Sequence, residues 1–404
     1  MSKLPASGNL LWRETTVKIR SMVALAVDER AVLEAGIARL AELLGPDFDI
    51  SPVQASGGED DEQDALAADS VYTIRALTPS APYAQVVVEA KASLTPAAAR
   101  QVLLPQVRLL RQLYSQATVL LVAPWLSPRT RDILASRKVG YLDFTGNVDL
   151  RLPTGVLIKT EGAQQNPDPT PHRRSRGLSG AGAGVIVRLL TDFAPPYRQK
   201  DLAALGRVSP GYVSRIFQTL DDEALITREG PYIVEVDWPA LLRARAENYD
   251  LLRSNHAVPM VARTGPDALY RSLIARGTEN TAVVTGSYAA REVTPVAVGG
   301  PLMIYVDPGP DMVDAVADEL SLMRAARGLG NVILLQSSNS GILLDRRGFG
   351  ATEHVALSQL AIDCLSGPDR MPAEGEAVLA HMVATVDSWR RDPGELVNEA
   401  AALS

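Results

Sequence analysis

Two groups of residues in this chain have the type and spacing to do chemistry. The first lies between Arg198 and Trp238, where Arg215 and Gln218 sit among apolar residues at three- and four-residue steps: Val213, Ile216, Phe217 and Leu220. That spacing buries one stripe of a helix and turns Tyr212, Ser214, Arg215 and Gln218 outward. An arginine so placed pairs bidentately with a guanine, and a glutamine with an adenine. The second group is Asp69, Glu89 and Lys91. The apolar run Val86-Val87-Val88 before Glu89 predicts a strand, and a period of two puts Glu89 and Lys91 on one face of it.

The first group needs a helix pair and a hairpin to position it. Residues 201–205 carry apolar side chains at helical spacing, and Gly206 is expected to stop that helix in the left-handed conformation. Ser209 is an N-cap residue, and Pro210 suits the first position of the next helix. The N-terminal residues of such a second helix meet base edges in the major groove; here they are Ser209, Gly211, Tyr212, Ser214 and Arg215. Arg198, Gln199 and Lys200 open the preceding helix, where side chains and free N–H groups favour phosphate. Strands on either side of Glu229-Gly230-Pro231 predict a wing, whose Arg228 and Tyr232 complete the DNA-binding set. Asp221-Asp222-Glu223 offsets much of the local basic charge, so a module used for protein contact alone is the competing reading.

Upstream, 164–171 holds three prolines and no apolar periodicity, which marks a linker. His172, Arg173, Arg174 and Arg176 follow it, placed as an arm that reaches phosphate or a minor groove. Gly177 to Gly184 is glycine-rich, and 185–190 reads as the module's first helix, ended before Pro195-Pro196. Residues 198–238 resemble the winged helix-turn-helix of bacterial transcription regulators, a resemblance that implies double-stranded DNA as ligand.

The N-terminal region reads as α/β. A helix is expected over 28–44 with Leu33, Ile37, Leu40 and Leu44 on one face, and strands over 48–53, 71–74 and 85–91. A helix over 97–114, a strand over 118–122, a helix over 129–136 and a strand at 140–143 follow, a mixed-sheet layout. The Glu89-x-Lys91 pattern, with Asp69 upstream, resembles the restriction-endonuclease-like fold. The resemblance implies that Asp69 and Glu89 hold Mg²⁺ and that Lys91 helps the attacking water. The bland alternative is a solvated Glu–Lys pair. Gly140-Tyr141-Leu142-Asp143-Phe144-Thr145-Gly146-Asn147 resembles a signature of helix-turn-helix regulators of the type IV toxin–antitoxin, or abortive-infection antitoxin, class. By itself it reads as a turn positioning an edge strand, with Asp143 alternatively near the Glu89–Lys91 face.

The C-terminal region predicts helices over 241–252, 312–326, 353–365 and 374–389, and strands over 282–285, 302–306, 332–335 and 341–344. Gly286-Ser287 after a strand resembles the nucleotidyltransferase fold. The acidic pair expected on 302–306 is missing, with only Asp307 at its end, and one carboxylate cannot make a two-metal clamp. The same antitoxin-like class is resembled here too, through Thr285 to Ala290, the 302–307 strand and Leu357 to Asp363.

Composition sets the frame. Of 404 residues, 46% are hydrophobic and 22% charged, which is enough for packed cores and too long for one ordinary domain. A net charge of −7 argues against non-specific coating of nucleic acid. One cysteine, Cys364, and four histidines make an internal disulfide impossible and a structural zinc unexpected. No secretory leader and no run long enough to span a membrane are read.

These readings combine into an α/β multidomain chain: a nuclease-like domain at 1–165, a winged helix at 172–240 and a degenerate nucleotidyltransferase-like domain with a helical tail at 241–404. The expected function is sequence-specific binding of double-stranded DNA by a cytoplasmic homodimeric regulator, with a possible toxin or defence partner and with no cofactor, metal or membrane. A metal-dependent DNA nuclease steered by the winged helix is the alternative, and a scaffold in a defence system, with Arg215 masked by Asp221 or Glu223, a further one.

Overall fold

The computed structural model describes residues 29–53, 70–78, 82–164, 166–167, 178–295, 299–326, 328–337 and 340–395. It is mixed α/β, with two seven-stranded sheets and one three-stranded sheet among the described residues. The chain divides into two compact units, Met1–Arg174 and, in the main, Ser175–Ser404. Asp69 and the arm residues Arg173, Arg174 and Arg176 lie outside the described residues.

In the first unit, helix α1 (Glu29–Leu44) precedes an antiparallel meander of β1 (Phe48–Pro52), β2 (Ser70–Ala76) and β3 (Tyr83–Ala90). Helical segments α2 (Pro96–Ala98) and α3 (Leu104–Leu113), joined by a π-turn, lead to β4 (Thr118–Ala123). Helix α4 (Pro128–Ser136) leads to β5 (Gly140–Asp143). Strands β3, β4 and β5 run parallel, and β6 (Val148–Arg151) and β7 (Leu157–Thr160) extend the sheet antiparallel. The sheet is covered on both faces. Val86, Val88, Leu120 and Val122 pack on one side, and Val87, Val119 and Leu121 on the other. This is why β3 and β4 read as continuous apolar runs rather than alternating ones. Of the expected face of α1, Leu40 is buried and Leu33, Ile37 and Leu44 pack half-buried against the same core; Val32 and Gly36 are the other buried positions. At Gly36 a Cβ would lie 2.3 Å from Val122 Cγ1, so only glycine lets α1 lie this close to β4.

The second unit begins with the helix-turn-helix elements. Helix α5 (Ala181–Asp192) starts four residues before the expected Val185, with glycines tolerated inside its first turns. Then come β8 (Tyr197–Arg198), α6 (Gln199–Leu205), α7 (Pro210–Asp222), β9 (Ile226–Glu229), β10 (Tyr232–Val236) and α8 (Trp238–Glu247). The small sheet has the order β8-β10-β9, all antiparallel.

The remainder is a second mixed sheet of order β14-β11-β15-β13-β12-β17-β16. Its elements in chain order are β11 (His256–Val261), α9 (Pro266–Arg276), β12 (Ala282–Thr285), α10 (Gly286–Ala290), β13 (Leu302–Val306) and α11 (Met312–Glu319). They continue with β14 (Met323–Arg324), β15 (Val332–Gln336), β16 (Arg347–Phe349), β17 (Thr352–His354), α12 (Leu357–Leu365), α13 (Met371–Ala384) and α14 (Val386–Trp389). Three expectations are corrected here. Ser340–Leu343 is a 3-10 turn, not a strand. The helix expected from 353 opens as strand β17, because Thr352–His354 pairs with β12 and β16. The helix from 312 ends at Glu319, where Ser321 takes a φ of 52° and the chain turns into β14.

One apolar core runs from the helix-turn-helix into this sheet, from Ile186, Phe217 and Leu220 through Leu241 and Leu242 to Leu335, Leu360 and Val378. Arg188 on α5 donates to Ser358 Oγ (3.2 Å) and to the carbonyls of Gly341 (2.6 Å) and Leu344 (2.8 Å). Trp238 meets Trp389 edge-on at 5.1 Å, and Arg243 pairs with Glu376. The winged helix and the C-terminal sheet are thus one packed body.

Candidate nucleic-acid interface

Helix α7 is built as its spacing predicts. Val213, Ile216, Phe217 and Leu220 are at most 1% exposed, while Gly211, Ser214, Arg215 and Gln218 are exposed. Ser209 caps the helix, its Oγ accepting from Tyr212 N–H at 3.2 Å, and Pro210 takes the first position. The turn before it differs from expectation. Gly206 stays right-handed, and Arg207 takes the left-handed conformation with φ 50°. Gly206 is needed for room: a Cβ there would lie 2.9 Å from the Leu202 carbonyl oxygen and 3.0 Å from Ile186 Cδ1.

Tyr212 is the second correction. Its ring is half-buried against the core rather than turned out. A Cβ on Gly182 of α5 would lie 2.9 Å from Tyr212 Cε1. The half-buried ring leaves its face to Arg215, whose guanidinium carbon lies 5.9 Å from the ring centroid. Among the described residues Arg215 makes no ion pair. Asp221, a proposed mask for it, pairs instead with Arg228 at 2.9 Å.

The strand before α6 pairs with the wing strand β10, and a side-chain contact reinforces that pairing. Arg198 donates to Tyr232 Oη, and its guanidinium carbon lies 4.8 Å from that ring's centroid. Gln199 Nε2 donates to the Pro210 carbonyl at 3.0 Å, which fixes the start of α7 against α6. Lys200, Ser209 and Arg228 are exposed around these. The arrangement presents one helix face and a hairpin tip, with Gly230 at φ 57° making the tip turn. A face of this kind offers donors and acceptors to base edges, flanked by cations for phosphate.

The second group is placed differently. Glu89 is 1% exposed on β3, and its Oε2 accepts from Gln106 Nε2 at 3.1 Å. Lys91 lies just past the strand's end, with Nζ 3.8 Å from Glu89 Oε2 and 3.5 Å from Glu29 Oε2. Glu89 and Lys91 do meet, as their spacing implies. Each is also engaged by a group that the sequence pattern does not point to, Gln106 and Glu29. Among the described residues no three acidic, histidine or cysteine side chains cluster to hold a metal ion; Asp69 is not among them.

Asp143 does not join Glu89. It is fully buried and accepts from Leu126 N (3.1 Å), Thr145 N (2.9 Å), Asn147 N (3.0 Å) and Asn147 Nδ2 (2.8 Å). Asn147 Oδ1 in turn accepts from Arg131 Nη1 at 2.6 Å and Gly162 N at 2.9 Å. The Gly140–Asn147 stretch is therefore a hydrogen-bonded clasp that holds β5, β6 and the chain after β7.

No family model, curated protein or solved structure matches the chain.

Around Gly286-Ser287 the polar groups are turned inward. Thr285 Oγ1 donates to Asp363 Oδ2 at 2.7 Å, and Ser287 Oγ donates to Glu374 Oε2 at 2.5 Å. Asp363 also accepts from Gln359 (2.7 Å) and Tyr305 (3.2 Å), and burial still pushes its carboxyl up to about 6. A serine committed to a buried glutamate has no free hydroxyl for a phosphate. Asp307, half-buried at the end of β13, stays the lone acidic group on that strand. The polar network Thr285–Asp363–Tyr305 has one faint signal in the sequence: an aspartate and a glutamine, Asp363 and Gln359, four residues apart inside a mostly apolar helix.

Proposed function

We propose that this chain is a sequence-specific double-stranded DNA-binding protein, a transcription regulator that reads the major groove with α7. The observation that carries the reading is the division of α7. Its apolar stripe is sealed into the core, and Gly211, Ser214, Arg215 and Gln218 form the exposed face beside a three-stranded wing. Arg215 lacks an ion-pair partner among the described residues and lies over Tyr212, an arrangement that leaves its guanidinium edge available to a guanine. Arg198, Lys200 and Arg228 supply the phosphate contacts, and Tyr232 fixes Arg198. A cytoplasmic homodimer on paired half-sites fits such a module. The proposal keeps the resemblance to antitoxin-class regulators, and with it a toxin or defence partner. The nuclease-like and nucleotidyltransferase-like descriptions of the flanking domains belong to the same proposal.

The test is selection from a randomised duplex pool by the full-length protein. One enriched motif, which Arg215→Ala relaxes at one base position, supports the reading; an unenriched pool removes it.

A metal-dependent nuclease is the second reading, and the apposition of Glu89 on β3 and Lys91 just past its end is what favours it. We rank it below the regulator because Gln106 occupies Glu89 Oε2 and Glu29 competes for Lys91.

A further inference from the structure

The first unit carries a concentration of positive charge that the rest of the chain does not share. No aspartate or glutamate occurs between Ala90 and Arg131, in a chain with 47 of them among 404 residues and a net charge of −7. Over 92–139 seven basic residues stand against one acid, Asp132. This stretch supplies α2, α3, α4 and the turn joining the first two. Leu103, Val107, Leu110 and Leu134 from it pack on the Val87–Val119–Leu121 side of the sheet. Burying Val107 and Leu110 turns Arg108 and Arg111 outward, three residues apart on one face of α3.

Arg111 joins two more cations to this face. Its Nη2 donates to the carbonyl oxygens of Arg137 and Lys138, at 3.1 and 2.8 Å, where the chain leaves α4. Arg108, Arg111, Arg137 and Lys138, all exposed, thus share one stretch of surface. The carbonyls hold the Arg111 guanidinium without neutralising it. Among the described residues none of the four forms an ion pair, with Asp132 or with any other acid. Helix α1 shows the contrast. Its exposed arginines pair with acids three or four residues on, Arg39 with Glu42 and Arg30 with Glu34. Four residues on from Arg108 and Arg111 stand Gln112 and Ser115 instead. Like charges gathered without acids repel one another, and a polyanion relieves that repulsion.

We propose that this face of the first unit binds the phosphate backbone of duplex DNA without regard to sequence, as a contact surface additional to α7. The choice of DNA among polyanions rests on the DNA-binding reading of α7; the basic face itself does not. The four cations supply charge, and the exposed Gln112, Ser115 and Gln116 supply neutral donors, the mixture that phosphate contacts use. A membrane surface calls for apolar anchors beside the cations, and Leu113 is the one large apolar side chain exposed on α3. Binding here releases counterions, so it adds to the salt dependence of affinity and not to base preference.

The test titrates the full-length protein against a selected site and against an unrelated duplex across salt concentrations. One variant carries Arg108→Gln, Arg137→Gln and Lys138→Gln; Arg111 is kept because it supports the end of α4. A charge-matched control replaces Lys159, Arg253 and Arg263, exposed elsewhere, by glutamine. A second control, Arg108→Lys with Arg137→Lys, keeps the charge. The expected result is a slope of log affinity against log salt that falls by about 0.9 for each phosphate no longer neutralised, on both duplexes alike. Both controls are expected to keep the wild-type slope, and all the variants to keep the wild-type Tm. A wild-type slope in the first variant, or an equal loss in the charge-matched control, overturns the proposal. Vesicles of phosphatidylserine and phosphatidylcholine are offered as well. Vesicle binding that the first variant loses while its duplex slope stays wild-type assigns the face to a membrane and overturns the proposal too. Arg215→Ala, run alongside, separates this proposal from the reading of α7. If Arg215→Ala binds every duplex as wild type does while the first variant loses slope, the α7 reading falls and the basic face stands. If the wild-type protein binds no duplex, both fall.

Discussion

Gly182 and Tyr212 are in direct contact: a methyl group added to Gly182 would lie 2.9 Å from Tyr212 Cε1 and 3.1 Å from Val208 Cγ1. The first helix of the winged module thus sets the position of the second residue after the Pro210 start of α7. Alanine in place of a helical glycine ordinarily stabilises by up to about 1 kcal/mol. Here the ring must move. Gly182→Val is expected to cost about 1–3 kcal/mol through overpacking and to weaken DNA binding beyond what that loss explains. Urea unfolding and fluorescence anisotropy on a selected site check the two effects. Wild-type affinity in the folded variant would detach Tyr212 from recognition.

The basic residues Arg173, Arg174 and Arg176 precede the winged module in sequence. Their joint replacement by alanine is expected to weaken binding to all duplexes alike. The slope of log affinity against log salt should fall by about 0.9 for each phosphate that the segment no longer neutralises. A titration across salt concentrations gives the slope directly, and an unchanged value makes the segment a linker.

Asp363 makes stability depend on pH. Its carboxyl is raised by burial from the ordinary 3.8 to about 6, despite hydrogen bonds from Thr285, Gln359 and Tyr305. A raised acid favours folding when protonated, so this contribution is fully present below 3.8 and is lost as pH rises through about 6. The size is on the order of 2–3 kcal/mol. His354 acts oppositely. Burial lowers it to about 4, so its contribution is present above 6.5 and is lost on acidification. Comparing wild type with Asp363→Asn cancels the histidine. The difference in unfolding free energy between the two should change across pH 4 to 6 and be flat above; a constant difference would contradict the assignment.

Neither Mg²⁺ nor Mn²⁺ is expected to elicit cleavage of plasmid, linear or branched DNA. Glu89→Ala is expected to leave binding to a selected site intact, because Glu89 belongs to the first unit and α7 to the second. Incubation of both proteins with divalent metal and with chelator checks this. Cleavage by wild type that disappears in the variant and in chelator would establish the nuclease instead.

The parts of this molecule that are legible in sequence are the ones whose cause is local. The stripe Val213–Ile216–Phe217–Leu220, the Ser209-Pro210 start and the Gly230 turn each follow from neighbours within a few residues. What stays hidden depends on distant partners. Arg188 falls in a helix expected from sequence, but its burial depends on carbonyls about 150 residues away that receive it. Glu353 and His354 read as the start of a helix and become part of a strand because β12 offers them a parallel edge. Strands β6 and β7 are four residues each, too short for alternation to declare itself. Helical spacing turns Tyr212 outward from α7; the space above Gly182 instead admits its ring against the core. Asp143 and Asn147 have the residue types for chemistry but hold the β5–β6 turn, since a buried carboxylate consumed by backbone N–H groups has no lone pair to lend.

The central claim is that the exposed face of α7 reads duplex sequence, and a footprint on genomic fragments with wild type and Arg215→Ala tests it most directly. The expected result is a protected site for wild type, with Arg215→Ala binding that site more weakly by about 1–3 kcal/mol and tolerating any base at one position within it. Equal protection by both proteins, or no protected site with wild type, would contradict it.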